Sequence, residues 1–175
     1  VAKRIPPGWR ILLQIHYEPN GEAGVDRPRV GLYFSDQAQP RELQTLAASQ
    51  LDLRIPPHAP RHPETAEFSF ERGGELLGFF PHMHLRGRAF LYRLRHPDGR
   101  IEKLLDVPRY DPNWQLYYQL REPIRIAAGS QLLVTAWFDN SADNPNNPDP
   151  DAEVRFGLRT EDEMLIGYFD WVEDR

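Results

Sequence analysis

Two histidines separated by one residue, His82 and His84, lie in the stretch FFPHMHLRG (79–87). Side chains two residues apart on a β-strand leave the same face, so both imidazoles could reach one metal ion. Such a pair is also common on strands as two packed or solvated polar residues. The spacing alone therefore leaves a metal site and an ordinary polar pair both open.

The sulfur chemistry of the chain restricts which metal could bind. The chain has no cysteine, which excludes disulfides, zinc–thiolate sites and a thiol nucleophile. Met83 and Met164 are its two methionines. A soft thioether beside imidazole favours copper over zinc, magnesium or calcium.

The segment EMLIGYFDWV (163–172) offers a thioether and a phenol on one strand face, because Met164 and Tyr168 are four positions apart. We expect this strand to face the histidine strand across a sandwich and so to bring Met164 to the two imidazoles. Two imidazoles and one thioether would stabilise Cu(I) and leave an open position for dioxygen.

The elements that must position these side chains are predicted from their period of two. The candidate strands are 9–17, 29–34, 43–55, 66–70, 75–80, 88–96, 101–107, 114–120, 131–139 and 163–172. Turn-forming segments rich in Pro, Gly, Asn and Asp separate them. This pattern predicts an all-β fold, an antiparallel β-sandwich of the jelly-roll type.

The segment DNSADNPNNPDPD (139–151) has oxygen-bearing side chains that could bind calcium. It lacks the Gly and Glu spacing of an EF-hand loop. We interpret it as a structured loop of Asx-turns and prolines, with calcium binding as the alternative.

The overall charge excludes some partners. The 175 residues carry a formal net charge of −5 and no basic patch, which argues against nucleic acid. No stretch is apolar for the roughly 20 residues that a membrane helix needs, so we expect no membrane insertion. The first ten residues read like the middle of a longer protein.

Five segments in this order resemble the copper type II ascorbate-dependent monooxygenases, the family of dopamine β-monooxygenase and peptidylglycine α-hydroxylating monooxygenase, and most closely their bacterial members. The segments are LLQIHYEPNG, PHMHLRG, DVPRYDPNWQ, WFDNSADNPNNPDPD and DEMLIGYFD. The resemblance implies two β-sandwich domains with one copper each. Copper would cycle between Cu(I) and Cu(II), with ascorbate or another donor supplying electrons in the full-length parent protein.

The resemblance also assigns residues. His82, His84 and Met164 match the ligands of the oxygen-activating copper, and His16 matches one ligand of the electron-transfer copper. The upstream pair of adjacent histidines that completes the second site is not in this sequence. We therefore expect residues 1–38 to be the closing strands of an incomplete N-terminal copper domain, residues 39–175 to be the C-terminal copper domain, and the chain alone to be inactive.

The resemblance narrows the range of possible substrates by excluding one class. The peptide-amidating enzymes hold a peptide carboxylate with an arginine, an asparagine and a tyrosine, and the matching positions here are Phe80, Ile166 and Tyr168. Only the tyrosine is kept, so Tyr168 is the candidate catalytic residue and peptide amidation is disfavoured. Together with Phe79, these side chains would line a pocket for a small apolar molecule that is hydroxylated at a C–H bond.

Three further expectations complete this interpretation. The resemblance implies an extracytoplasmic protein, either periplasmic or secreted, which works with an upstream copper domain. His58, His62 and His96 are expected at the surface. Whether the chain is an enzyme stays open at this point, because a non-catalytic copper-binding module or a jelly-roll binding module would have the same fold.

Overall fold

A computed structural model describes residues 1–15, 17, 20–38 and 40–174 of the chain. The chain divides into two units, with the boundary between Leu43 and Gln44. The described residues contain no helix, and therefore none that could cross a membrane. The division into domains at residues 38 and 39 stays a prediction.

In the first unit the described residues form one isolated bridge, between Ala2 and Glu42, and no strand. The strands predicted at 9–17 and 29–34 are therefore wrong for the residues described there. Their apolar side chains are exposed, among them Leu12 at 93% and Tyr33 at 102%. A strand needs a partner strand and a covering layer to be stable, and the described residues provide neither for these two segments.

The second unit is built from short strands, which we number in chain order. They are β1 (Gln44–Ser49), β2 (Arg54–Ile55), β3 (His62–Ser69), β4 (Gly74–His82), β5 (Gly87–Arg95), β6 (Ile101–Val107), β7 (Tyr118–Ile126), β8 (Gln131–Phe138), β9 (Val154–Arg155) and β10 (Ile166–Glu173). One sheet has the order β1-β10-β4-β7, a second has the order β3-β8-β5-β6, and β2 pairs with β9. All of these pairs are antiparallel, which confirms the predicted all-β antiparallel sandwich.

The core lies between the two four-stranded sheets and follows from alternation along each strand. In β10, Gly167, Phe169 and Trp171 are buried, whereas the residues between them are partly exposed. Phe79 of β4 packs on Tyr92 of β5 with ring centroids 4.7 Å apart. The Tyr92 hydroxyl crosses the core to donate to the carbonyl oxygen of Tyr168 at 3.1 Å, so its polar atom is satisfied.

A break in the strand register lies in the middle of β4. Gly78 pairs with Asp170 of β10, and Leu76 pairs with Trp171, so Leu77 has no opposite residue. The pairing of β4 with β7 shifts at the same place. Such a β-bulge reverses which face the following side chains occupy, because the extra residue changes the alternation by one.

The 139–151 loop is ordered by its own Asp and Asn side chains, as the sequence predicts. The Oδ1 of Asp139 accepts from the N–H of Ser141, and the Oδ1 of Asn144 from the N–H of Asn146. The buried Arg86 side chain donates its Nε–H to Asn140 at 2.8 Å. These contacts confirm the Asx-turn interpretation and attach the loop to the turn that follows the histidines.

Candidate metal centre

His82 is the last residue of β4, and His84 follows two residues later. Their ring centroids are 5.2 Å apart, and the ring planes are inclined at 80°. His82 pairs directly with Ile166, the first residue of β10. The prediction that the histidine and methionine strands face each other across the sandwich is therefore wrong: they are neighbours in one sheet, and Met164 precedes β10 at the same end.

Gln115 fixes the ring of His82. The side-chain amide of Gln115 donates from Nε2 to the carbonyl oxygen of Pro112 at 3.0 Å, so its Oε1 is the atom that faces His82. This Oε1 lies 2.7 Å from Nδ1 of His82. An amide oxygen only accepts, so Nδ1 carries the proton and Nε2 keeps its lone pair. Burial lowers the pKa of His82, although the hydrogen bond to Gln115 acts in the opposite direction. The lowered pKa favours the neutral ring.

His84 is held in the same way by a backbone group. Its Nδ1 lies 3.0 Å from the carbonyl oxygen of Asp162. A carbonyl oxygen accepts, so the proton again lies on Nδ1 and the lone pair on Nε2. Metal-binding histidines in proteins commonly have the second ring nitrogen bonded to a carbonyl or carboxylate oxygen. Both rings are thus oriented with one nitrogen available for a ligand.

Glu163 connects the histidine segment to the methionine segment. Its Oε2 accepts from the backbone N–H of His84 at 2.8 Å and from that of Met164 at 3.2 Å. Its Oε1 accepts from the N–H of Arg86 at 2.6 Å. The residue is fully buried. Burial raises the pKa of Glu163 to about 7, while the three N–H donors and Arg86 act in the opposite direction.

The two methionines have different surroundings. Met83 is completely buried in the core, and the Tyr110 hydroxyl bonds both its backbone N–H and its carbonyl oxygen. Met164 is 8% exposed and begins the segment that leads into β10. Of the two thioethers, only that of Met164 lies outside the main core cluster. The assignment of His82, His84 and Met164 as ligands stays a prediction, as does the catalytic role of Tyr168.

The outer face of β4 and β10 beside the histidines is apolar. The rings of Phe80 and Tyr168 lie side by side, with centroids 6.1 Å apart and planes inclined at 25°. Tyr168 is also 6.5 Å from the His82 ring, centroid to centroid. The expectation that Phe79 lines the same pocket is wrong, because Phe79 is fully buried in the sandwich core. Phe80, Tyr168 and Ile166 share the opposite, partly exposed face.

The remaining predicted residues lie elsewhere. His16 is outside the residues that the structure describes. His58 and His62 bond the carboxylates of Asp151 and Glu64. His96 bonds Glu102 and its side chain is 17% exposed, so it is more buried than expected.

Three supporting residues were not identified from the sequence: Gln115, Asp162 and Glu163. All three are within the segments that carry the family resemblance, DVPRYDPNWQ and DEMLIGYFD. Their roles depend on which backbone and ring atoms they meet in the fold, and no spacing rule predicts such contacts between distant segments.

The donor set fits a soft or borderline metal ion better than a hard one. Two neutral imidazoles with available Nε2 atoms, next to a segment that carries a thioether, suit Cu(I). The described residues contain no group of three or more His, Cys, Asp and Glu side chains that could hold an ion. A copper here would therefore depend on the methionine as its third protein ligand.

The fold and these contacts define a β-sandwich domain with two oriented imidazoles at one end of a sheet. A family model described as copper type II ascorbate-dependent monooxygenase, C-terminal domain, matches residues 61–174. This chain belongs to that family, whose members depend on copper and ascorbate. No curated protein matches the chain.

Proposed function

We propose that this chain carries the oxygen-activating copper site of a monooxygenase, with His82, His84 and Met164 as the protein ligands. The observation that carries the proposal is the orientation of the two imidazoles, whose Nδ1–H groups are bonded to Gln115 and to the Asp162 carbonyl. The family match supports it independently. A copper ion held there would supply the oxidation chemistry that inserts one oxygen atom into a substrate C–H bond.

The residues of the chain perform three tasks in this proposal. Gln115 and the Asp162 carbonyl hold the rings in one tautomer, and Glu163 holds the His84 and Met164 backbones together. Phe80, Ile166 and Tyr168 provide an apolar floor that excludes water from the reacting part of the substrate. Tyr168 is the catalytic candidate, because its phenol stands beside His82 on this floor and can donate a hydrogen bond to substrate.

The wider expectations are proposals of the same kind. The substrate is a small molecule with an apolar body, since the face beside His82 carries two aromatic rings and Ile166. The second copper and the electron supply, from ascorbate or another donor, would come from an upstream domain to which His16 contributes one ligand. The chain alone would therefore bind one copper and hydroxylate nothing. The location of the parent protein would be outside the cytoplasm.

The experiment is an anaerobic Cu(I) titration of the metal-free chain. We expect one copper per chain, loss of tight binding in the His82→Ala/His84→Ala double variant, and weaker binding in Met164→Ala. A matched control is His58→Ala/His62→Ala, which also removes two imidazoles but from rings bonded to Asp151 and Glu64. Equal binding in all four proteins would reject the proposal and favour a binding module in which the histidines are incidental.

A second measurement tests whether the Met164 thioether is a copper ligand. X-ray absorption of the Cu(I)-loaded chain should show a sulfur ligand in the wild type that is lost in Met164→Ala. Two nitrogen ligands without sulfur would contradict the proposed ligand set while leaving copper binding itself intact.

A further inference from the structure

The outer face of β4 and β10 continues beyond the apolar floor as a strip of three cross-strand pairs. His82 pairs with Ile166, Phe80 with Tyr168, and Gly78 with Asp170. Pairs on one face are two residues apart along each strand, so the third pair lies roughly 13 Å from the first. The strip thus begins at the proposed copper ligands and ends at Asp170.

Tyr117 closes the far end of the strip. A Cβ atom added to Gly78 would lie 2.2 Å from the Tyr117 hydroxyl oxygen and 2.4 Å from its ring carbon Cζ. The Tyr117 side chain therefore lies directly on Gly78, and only a glycine leaves room for it. Its hydroxyl donates to Oδ2 of Asp170 at 2.8 Å. The end of the strip is a phenol and a carboxylate that are bonded to each other.

The Asp170 carboxylate has neutral donors as partners. Its Oδ1 accepts from the Thr45 hydroxyl, and its Oδ2 accepts from Tyr117. Among the residues that the structure describes, no Lys, Arg or His forms an ion pair with it. Each carboxylate oxygen has a further lone pair available, so the group can accept from an additional donor. Its negative charge favours a cation over a neutral or anionic group.

We propose that this strip is a substrate site for an elongated apolar molecule that ends in a protonated nitrogen, with the nitrogen bound at Asp170 and the apolar body on Phe80 and Tyr168. The proposal deepens and rests on the proposed function, because the opposite end of such a molecule reaches His82. Asp170 then determines specificity, since its carboxylate selects for a cationic end, and Tyr117 positions that carboxylate. An extended chain of about ten carbon atoms covers the strip.

The test uses decylammonium as the probe and the metal-free full chain as the protein, so that copper does not enter the measurement. We expect decylammonium to bind more tightly than decanoate and than butylammonium, which is too short to reach both ends. Asp170→Asn should weaken decylammonium binding about tenfold, the usual effect of losing one charge-assisted hydrogen bond. Glu173→Gln is the matched control, because it removes the same charge from the same strand.

A second variant tests where the nitrogen binds. Tyr117→Phe removes the hydroxyl that donates to Oδ2 of Asp170 and keeps the ring on Gly78, so decylammonium should bind at least as tightly as it does to the wild type. A loss of affinity as large as that in Asp170→Asn would place the nitrogen at the phenol instead of the carboxylate. Equal effects of Asp170→Asn and Glu173→Gln, or no decylammonium binding at all, would overturn the proposal.

The Cu(I) titration is a separate readout of the same proteins. Copper binding without decylammonium binding would reject this strip as a substrate site and retain the metal centre. Decylammonium binding that depends on Asp170, in a chain that binds no copper, would retain the strip and reject the monooxygenase function.

Discussion

Gln115 accepts the Nδ1–H of His82 at 2.7 Å, and this bond joins the loop before β7 to the end of β4. The same loop places Trp114, Leu116 and Tyr117 at the surface next to it. The residue that orients one proposed copper ligand and the residue that closes the proposed substrate strip therefore belong to one short segment. A change in that segment should affect both metal and substrate binding.

Replacing Gln115 with leucine should lower Cu(I) affinity by roughly 10- to 100-fold, the usual effect of losing a partner of a ligating histidine. The ring of His82 would lose the acceptor that keeps the proton on Nδ1. The measurement is the anaerobic Cu(I) titration, with the exposed Gln119→Leu on β7 as the matched control. Equal affinity in both variants would show that His82 needs no partner to bind.

Glu163→Gln should lower the free energy of unfolding of the metal-free chain by about 1–3 kcal/mol. The Glu163 carboxylate has two oxygens that accept from three backbone N–H groups, whereas a glutamine amide has only one accepting oxygen. Urea unfolding measures the change. Glu161→Gln, at an exposed position two residues away, should have little effect. The prediction fails if the two variants unfold at the same urea concentration.

Tyr117 should ionise late in an alkaline titration. Burial, and then the hydrogen bond to Asp170, raise the pKa of Tyr117 to about 12 from its ordinary value of 10.0. Since the folded state holds this proton more tightly than the unfolded state, its contribution to stability is complete below about pH 10 and is lost as the pH rises towards 12. The ultraviolet difference between wild type and Tyr117→Phe isolates this phenol, and Asp170→Asn should move its transition to lower pH.

Gly167→Ala should lower the free energy of unfolding by about 1–3 kcal/mol, because the added methyl group overpacks the core. A Cβ at this position would lie 2.8 Å from Val134 Cγ2 and 3.0 Å from Tyr92 Cε1 in the opposite sheet. The stability of this variant is measured by thermal unfolding. Its matched control is Gly31→Ala, where nothing lies within 4 Å of the added Cβ atom. A change of less than a few tenths of a kcal/mol would mean that the two sheets can separate locally to admit a methyl group.

The sequence predicted the all-β fold of the second unit because most of its strands alternate between buried and exposed positions. The predicted strand 43–55 divides into β1 and β2, and the predicted strand 114–120 overlaps β7 only at residues 118–120. Strand β6 begins and ends where the pattern placed it, at Ile101 and Val107. The pattern failed for 9–17 and 29–34, where alternation is equally clear but the described residues supply no partner strand. Alternation indicates that a segment is suited to a β-sheet, but it does not indicate whether a partner strand is present.

For the candidate site, the sequence indicated the residue types but not their arrangement. The even spacing of His82 and His84, and of Met164 and Tyr168, could be read directly. The two strands are neighbours in one sheet and do not lie in opposite sheets. This arrangement depends on long-range pairing and could not be predicted from the spacing. The contacts of Glu163 and Gln115 bridge segments that are tens of residues apart and follow only from the assembled sheet.

The bulge at Leu77 also gives the strip a tolerance to one change in chain length. Deleting Leu77 would remove the extra residue and leave Leu76 opposite Trp171 and Gly78 opposite Asp170, so Phe80 and His82 would keep their face. Inserting one residue between Gly78 and His82, where the pairing with β10 is regular, would instead turn the side chains on one side of the insertion to the other face. A deletion at the bulge should therefore be far better tolerated than an insertion in the regular part of β4.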